Sequence, residues 1–264
     1  MDRSRIICII NRKGGAGKST TARNLAGVLL RRGLRVLIGD LDPQASLTRL
    51  LLDRLDRPGI GACLLDSSYR ASDCLVETPS GLHLLPGDPS IEQAALSLST
   101  LGSGHLRLRR VLGDLSGFDV LLLDTPPALG FALSSAAIAA AWAILPTFTT
   151  QEDLDALTDT LHVLDQLKAD GLPCAEVLAV VPNRLYRDSA DQGGLAVLRE
   201  TFGEVVSRPI PHLVAIKQAS NARLPLDRYD PKSPALAAYE ELADRVIVAV
   251  SQRSGSREDS SAVR

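Results

Sequence analysis

The segment that most restricts how this chain can fold is a glycine-rich loop between an apolar run and an amphipathic stretch. "RIICII" leads into "NRKGGAGKSTT", and Ala22, Leu25, Ala26 and Leu29 then recur on one helical face up to Gly33, which is placed as a C-cap. Glycine has no Cβ, so Gly14, Gly15 and Gly17 let backbone N–H groups close around an oxyanion. The helix that follows adds unsatisfied N–H groups and a partial positive charge at its start. Strand, loop and helix in this order form the repeating unit of a parallel α/β sheet.

That unit recurs along the chain. "RVLIGDL", "LHLLP", "DVLLLD", "AILPT", "EVLAVVP" and "EVVSRPI" read as further strands, most of them near-continuous apolar runs suited to burial on both faces. Helical patterns fall at about 18–32, 45–55, 105–115, 132–141, 151–169, 193–202 and 234–252. The expected fold class is α/β with a doubly wound, mainly parallel sheet. With 45% apolar residues in 264, one well-buried domain over 1–250 is expected. Residues 56–104 are the least regular and read as loop, and 251–264, polar and Ser-rich, read as a disordered tail.

Charge and cysteine content remove several function classes. A net charge of −2 gives no overall basic bias, so any nucleic-acid contact must come from a local patch. Cys8, Cys63, Cys74 and Cys174 contain no C-x-x-C pair and read as buried or incidental thiols in a reducing cytoplasm. The four histidines lack metal-ligand spacing. "MDRSRIICII" stops at Asn11, too soon for a signal segment, and the polar tail lacks the apolar face of a membrane-binding helix.

The loop matches the end of the phosphate-loop pattern G-x-x-x-x-G-K-[ST] at Gly17, Lys18 and Ser19, but Arg12 occupies the place of its first glycine. Gly14, Gly15, Ala16, Gly17, Lys18, Ser19 and Thr20 are the expected nucleotide contacts. Lys18 would reach the β- and γ-phosphates and the Ser19 hydroxyl would ligate Mg²⁺. Asp40 and Asp42 close a strand in "GDLDPQ"; two residues apart on an extended chain, they project to one side. "FDVLLLD" ends in Asp124, the type of strand-terminal carboxylate that holds Mg²⁺ in phosphate-loop enzymes.

Together "KGGAGKSTT", "DLDPQAS" and "LLLDTPPALG" resemble the deviant-Walker ATPases of the ParA/MinD group, ParA-type partition ATPases most closely. Weaker likeness continues through "FGEVVSRPIPHLVAIKQAS" and "YDPKSPALAAYEELADRVI", so the resemblance covers nearly the whole chain. It implies a phosphate-loop NTPase of deviant-Walker type, with ATP and Mg²⁺ as cofactors and slow hydrolysis. Losing the first glycine belongs to that pattern, and Lys13 becomes the signature lysine, which reaches the ATP of a partner subunit in an ATP-dependent homodimer. Lys13, Lys18 and Asp42 are then the catalytic set, Asp42 positioning the attacking water. Ser19, Asp40 and Asp124 are the metal set, and Asn183 in "VVPNR" and Pro211 in "PIPH" hold the adenine.

The resemblance also implies non-specific DNA binding in the ATP state, release when a ParB-like partner stimulates hydrolysis, and a cytoplasmic, nucleoid-associated protein. Here the chain departs from the group. Where the group often has "IPRNVRLSEA", this sequence has "IPHLVAIKQA", so His212 and Ala215 replace two arginines. Arg208, Lys217, Arg223 and Arg228 are the substitute DNA contacts. Ten residues before Asn11 leave no room for a helix-turn-helix, which disfavours sequence-specific repression. The leading function is plasmid or chromosome partition. The alternatives are a related ATPase positioning a protein cargo or division-site component, and a nucleotide-gated binding module with negligible turnover. An iron–sulfur carrier lacks cysteines near Asp124, and a tyrosine kinase would carry tyrosines in its tail, which has none.

Overall fold

The computed structural model describes residues 1–128, 130–186 and 188–255, the last three by backbone alone. The strands are β1 (Ile6–Ile9), β2 (Val36–Asp40), β3 (Val76–Glu77), β4 (His83–Leu85), β5 (Val120–Asp124), β6 (Trp142–Thr147) and β7 (Glu176–Pro182). The helices are α1 (Lys18–Arg31), α2 (Ser46–Leu51), α3 (Ile60–Leu65), α4 (Ser90–Ser99), α5 (Arg107–Gly113), α6 (Phe131–Ala139), α7 (Gln151–Ala169), α8 (Ser189–Phe202), α9 (Val214–Asn221), α10 (Leu226–Tyr229) and α11 (Leu236–Gly255).

The strands form one seven-stranded sheet in the order β3-β4-β2-β5-β1-β6-β7. Every pairing is parallel except that of the two-residue β3 with β4. Alternate residues of the central strands enter two separate cores, as the two-residue period of a strand requires. Cys8, Leu37, Leu121 and Leu123 pack on one face with residues of α3 to α8. Ile7, Ile9, Ile38 and Leu122 pack on the other with α1, α2, α10 and α11. Burial on both faces is why β1, β2 and β5 carry no polar residue before their last position. Helix α1 supplies Leu25 and Leu29, both fully buried, each worth about 1.5–3 kcal/mol of transfer free energy. It ends at Gly33, whose φ of 86° and N–H bond to the Leu30 carbonyl at 2.9 Å turn the chain toward β2.

The structure revises several local expectations. "EVVSRPI" is not a strand: Pro209, and Pro211 just after it, lack N–H donors, and beside β7 and the residues after it the chain forms the isolated bridges Val180–Val206 and Leu185–Pro211 and an Ile210 N–H bond to the Pro182 carbonyl instead of a continuous ladder. Residues 56–104 hold α3, α4 and β3 in addition to the expected strand in "LHLLP", which is β4. Helix α8 begins at Ser189, capped by Asp188 accepting from the Asp191 N–H at 2.9 Å, and runs through Gly193 and Gly194. Gly194 fits there because a Cβ would lie 2.1 Å from the Thr149 carbonyl oxygen. Helix α11 continues to Gly255, into the expected tail; 256–264 lie outside the described residues. Cys63 and Cys74 are free thiols with sulfurs 3.3 Å apart.

Candidate active site

The glycine-rich loop leaves the sheet at β1, which has β5 on one side and β6 on the other. Chains leaving in opposite directions there open the crevice in which α/β sheets bind ligands. Gly15 and Gly17 take φ values of 77° and 95°. At Gly17 the need for glycine is doubled, because a Cβ would sit 1.9 Å from the Asn183 amide nitrogen. That nitrogen donates to the Ala16 carbonyl at 2.9 Å, pinning the loop to the end of β7. Among the described residues no side chain caps the start of α1, so its first N–H groups remain available to an anion.

Asn11 organises the rest of the loop. Its amide donates to the Pro146 carbonyl at 2.8 Å, its side-chain oxygen accepts from the Lys13 N–H at 2.8 Å, and its carbonyl accepts from Lys18 Nζ at 2.8 Å. The Lys18 ammonium also donates to the Lys13 carbonyl at 3.1 Å. Lys18 is thus buried and held by loop carbonyls. Burial lowers its pKa, opposed by the charges of Asp124 and Asp42.

The three carboxylates divide by position. Asp40 and Asp124 are register partners on neighbouring strands, both fully buried. Asp40 is occupied by its own chain: one oxygen accepts from the Thr48 N–H and hydroxyl, both at 2.8 Å, and the other from the Asp42 N–H at 3.1 Å. Burial nonetheless raises its pKa to about 6, against those hydrogen bonds. Asp124 has no hydrogen-bond partner on either oxygen among the described residues. Burial, then the neighbouring Asp40 charge, pushes its pKa well above the carboxylate range, against the pull of the Ser19 hydroxyl and Lys18. Asp42 departs from the expected strand periodicity, because β2 ends at Asp40. It lies in the following turn, accepting from Gln44 N at 2.8 Å and the Ser46 hydroxyl at 3.2 Å. It lines a cavity of about 310 Å³ with Lys18, Ser19, Thr20 and Thr125.

This arrangement fits Mg²⁺ bound with a nucleotide. A buried carboxylate without a donor is costly unless a cation completes it, and Asp124 stands beside the Ser19 hydroxyl. No cluster of three or more His, Cys, Asp or Glu side chains able to hold a metal occurs among the described residues. Mg²⁺ held by one or two protein oxygens, phosphates and water needs no such cage. Asp40, the other carboxylate expected in the metal set, spends three acceptor positions on Thr48 and Asp42 and stands beside Asp124 as its register partner.

Lys13 lies at the edge of the loop, its ammonium 2.7 Å from Asp153 and 3.3 Å from Glu152 at the start of α7, and the Asp153 contact raises its pKa. Arg12 pairs with Asp159 one turn further along α7 and more. On the other side of the loop a cavity of about 430 Å³ runs from Gly15, Gly17 and Thr20 past Asn183 and Pro211 to α9. Its walls include Phe148, with the Arg184 guanidinium 5.5 Å from the ring centre, and His212, stacked on Tyr186 at 4.4 Å. Arg208 pairs with Glu241 and Arg223 with Asp53, while Arg228 is exposed. Lys217 lines the cavity.

The sequence gives no sign of Thr48, which holds Asp40, or of the Phe148 and Arg184 walls, and it marks His212 only as a departure from the group's pattern. The carboxylates that hold Lys13, Glu152 and Asp153, have a local signal as the acidic residues in the first turn of a helix capped by Thr150.

An unfilled carboxylate, a caged lysine and a glycine loop around one crevice define a phosphate-loop ATPase that works with Mg²⁺. Residues 4–173 match the AAA domain family model. The chain is 34% identical over 251 residues to the chromosome-partitioning ATPase Soj of Thermus thermophilus, covering 94% of this chain and 97% of that one. Its fold is similar to the ATP complex of a McdA variant from Cyanothece, with a TM-score of 0.83, 25% identity and coverage of 94% and 97%. It is similar also to the septum site-determining protein MinD of Pyrococcus horikoshii complexed with Mg-ADP, with a TM-score of 0.75, 27% identity and coverage of 92% and 95%. The chain belongs to the ParA/MinD family of deviant-Walker ATPases. It is a partition or positioning ATPase that uses ATP and Mg²⁺. Among the described residues no helix is long and apolar enough to cross a membrane.

Proposed function

We propose that this ATPase is a nucleotide-gated dimer that partitions a plasmid or chromosome by holding non-specific DNA in its ATP state. The phosphate-loop amides and Lys18 take the β- and γ-phosphates, Ser19 and Asp124 meet Mg²⁺, and Asn183 and Pro211 flank the adenine. Bound Mg²⁺ neutralises charge on the phosphates. Asp42, facing the cavity beside Lys18, accepts a proton from the attacking water and orients it in line with the γ-phosphorus. Hydrolysis is slow until a ParB-like partner stimulates it.

The observation that carries the dimer is the placement of Lys13. Its side chain, 23% exposed, stands at the rim of the phosphate loop with the ammonium held by carboxylates of its own subunit and not by the loop. A neighbouring triphosphate offers it a denser negative charge than Asp153 does, and only in the ATP state. To move the dimer from rare to dominant, ATP must favour it by about 5.5 kcal/mol, the free energy of a swing from 1:99 to 99:1. DNA contact falls to exposed Arg228 and to Arg208 and Arg223, whose carboxylate partners can be exchanged for phosphates.

The test is binding of an unrelated DNA duplex with ATP, ADP or no nucleotide across a salt series. ATP-dependent binding that weakens steeply with salt is expected. DNA ignored in every state, with ATP still driving dimers, would leave a switch whose track is a protein cargo or division-site component. In parallel, Asp42→Ala should lower turnover at least a hundredfold and trap the ATP dimer. Equal, near-zero turnover with and without Asp42 would instead mark a binding module.

A further inference from the structure

The far wall of the 430 Å³ cavity is one face of α9. Leu213 at its N-cap, then Ile216, Lys217 and Ser220, recur at helical spacing and all line the cavity. That face is apolar, with one hydroxyl and one cation. The phosphate loop forms the opposite end, so what reaches α9 is the nucleoside. Lys217 also differs from two of the other cations considered as DNA contacts. Arg208 and Arg223 are paired with carboxylates of their own chain, whereas among the described residues no carboxylate lies within 4.0 Å of the Lys217 ammonium. The wall thus presents a long flexible donor with no carboxylate in reach among the described residues.

Purine ring nitrogens and ribose oxygens are acceptors. We propose that Lys217 is a nucleotide-binding residue that donates to the base or ribose of the bound nucleotide, and is not a DNA contact. The proposal rests on the reading of this cavity as the nucleoside end of the site. A charge-assisted hydrogen bond in an open pocket predicts about a tenfold loss of affinity on removal. The loss is the same for ATP and ADP, which share the nucleoside.

The experiment titrates Mg-ATP and Mg-ADP into the wild type, Lys217→Met, Lys217→Arg and Lys18→Ala, and measures the salt dependence of DNA binding at saturating ATP. Lys217 is exposed, so Lys217→Met should melt with the wild type. Expected are about a tenfold weaker Kd for both nucleotides in Lys217→Met, partial recovery in Lys217→Arg, and an unchanged DNA salt slope. Wild-type affinity for both nucleotides in Lys217→Met would overturn the proposal. If the salt slope then also fell by about one, Lys217 would return to the DNA surface. A loss confined to ATP would put the ammonium on the γ-phosphate and overturn the nucleoside assignment. A wild type that binds neither nucleotide would overturn the underlying reading of the cavity as well.

Discussion

At the end of β5, facing the start of α1, the buried carboxylate of Asp124 lacks a hydrogen-bond partner on both oxygens among the described residues. On the flank of that helix the buried guanidinium of Arg23 likewise lacks one on both terminal nitrogens among the described residues. The two look alike as costs and differ in surroundings. Asp124 sits at the ligand edge of the sheet, beside Ser19 and Lys18, where on the proposed reading Mg²⁺ would complete it. Arg23 faces Asn24 and Tyr239 of the α1–α11 packing, with a single long bond of 3.4 Å from Nε to the Asn24 side chain. Burial lowers its pKa to about 10 and raises that of Tyr239 to about 12. An unpartnered buried charge therefore says little by itself. Its position relative to a cavity decides whether it is held ready for a ligand or is simply a cost carried by the fold.

The largest effect expected on the ligand side comes from Lys18→Ala, which should weaken ATP binding more than a hundredfold in a fluorescent-nucleotide titration. Normal affinity would refute the loop assignment. Next, Asp124→Asn should abolish the Mg²⁺ dependence of ATP affinity while the ligand-free protein melts no lower than the wild type. An unchanged Mg²⁺ dependence would show that the metal is held elsewhere.

On the packing side the sign reverses. Arg23→Met removes an uncompensated charge and keeps its apolar stem, so stability should rise by about 1–3 kcal/mol, with ATP affinity unaltered. At about 2–4 °C per kcal/mol for a domain of this size, calorimetry would resolve the gain. A fall in Tm would mean that the guanidinium has a partner in solution.

The smallest effect belongs to a charge pair in water. Arg35 and Asp119 join the starts of β2 and β5, with bonds of 2.8 and 3.1 Å and the Arg35 N–H at 2.9 Å. The pair is well exposed, so Asp119→Asn should cost only about 0.5–1 kcal/mol at neutral pH. The Arg35 contact lowers the Asp119 pKa to about 2. A carboxylate whose folded pKa lies below its unfolded value of about 3.9 stabilises the fold above that value. The contribution is lost as pH falls through 2, so the gap between the wild type and Asp119→Asn should shrink steadily in acid titration. A gap as wide at pH 2 as at neutral pH would mean the side chain acts through packing.

What could be read locally was read from local causes. The β1–loop–α1 unit was legible because glycine spacing, an apolar run and a 3.6-residue period all act within about 30 residues. Asp124 was legible because a charge ending an apolar run must lie at a strand's end. Helix α8 was misread at its start because Gly193 and Gly194 look like a break; the reason for Gly194 is the Thr149 backbone, remote in sequence. "EVVSRPI" has the composition of a strand, but Pro209 within it and Pro211 just after it remove donors that a ladder needs. In 56–104 the elements are short, and α3 and α4 hold each other in place. Their own propensities are too weak to announce them.

The sequence by itself determined the class of fold, the anion-binding loop and the nature of the chemistry, because these depend on residue type and short spacing. Tertiary structure alone decided which polar groups are already spent. It closed Thr48 on Asp40, left Asp124 open, set Asn183 against Ala16 across 167 positions and parked Lys13 on α7. It also placed Lys217 on the wall of the 430 Å³ cavity and buried Arg23 against Tyr239. Hydrogen bonds and desolvation depend on what lies within a few ångströms, and for these residues the neighbours come from distant parts of the chain.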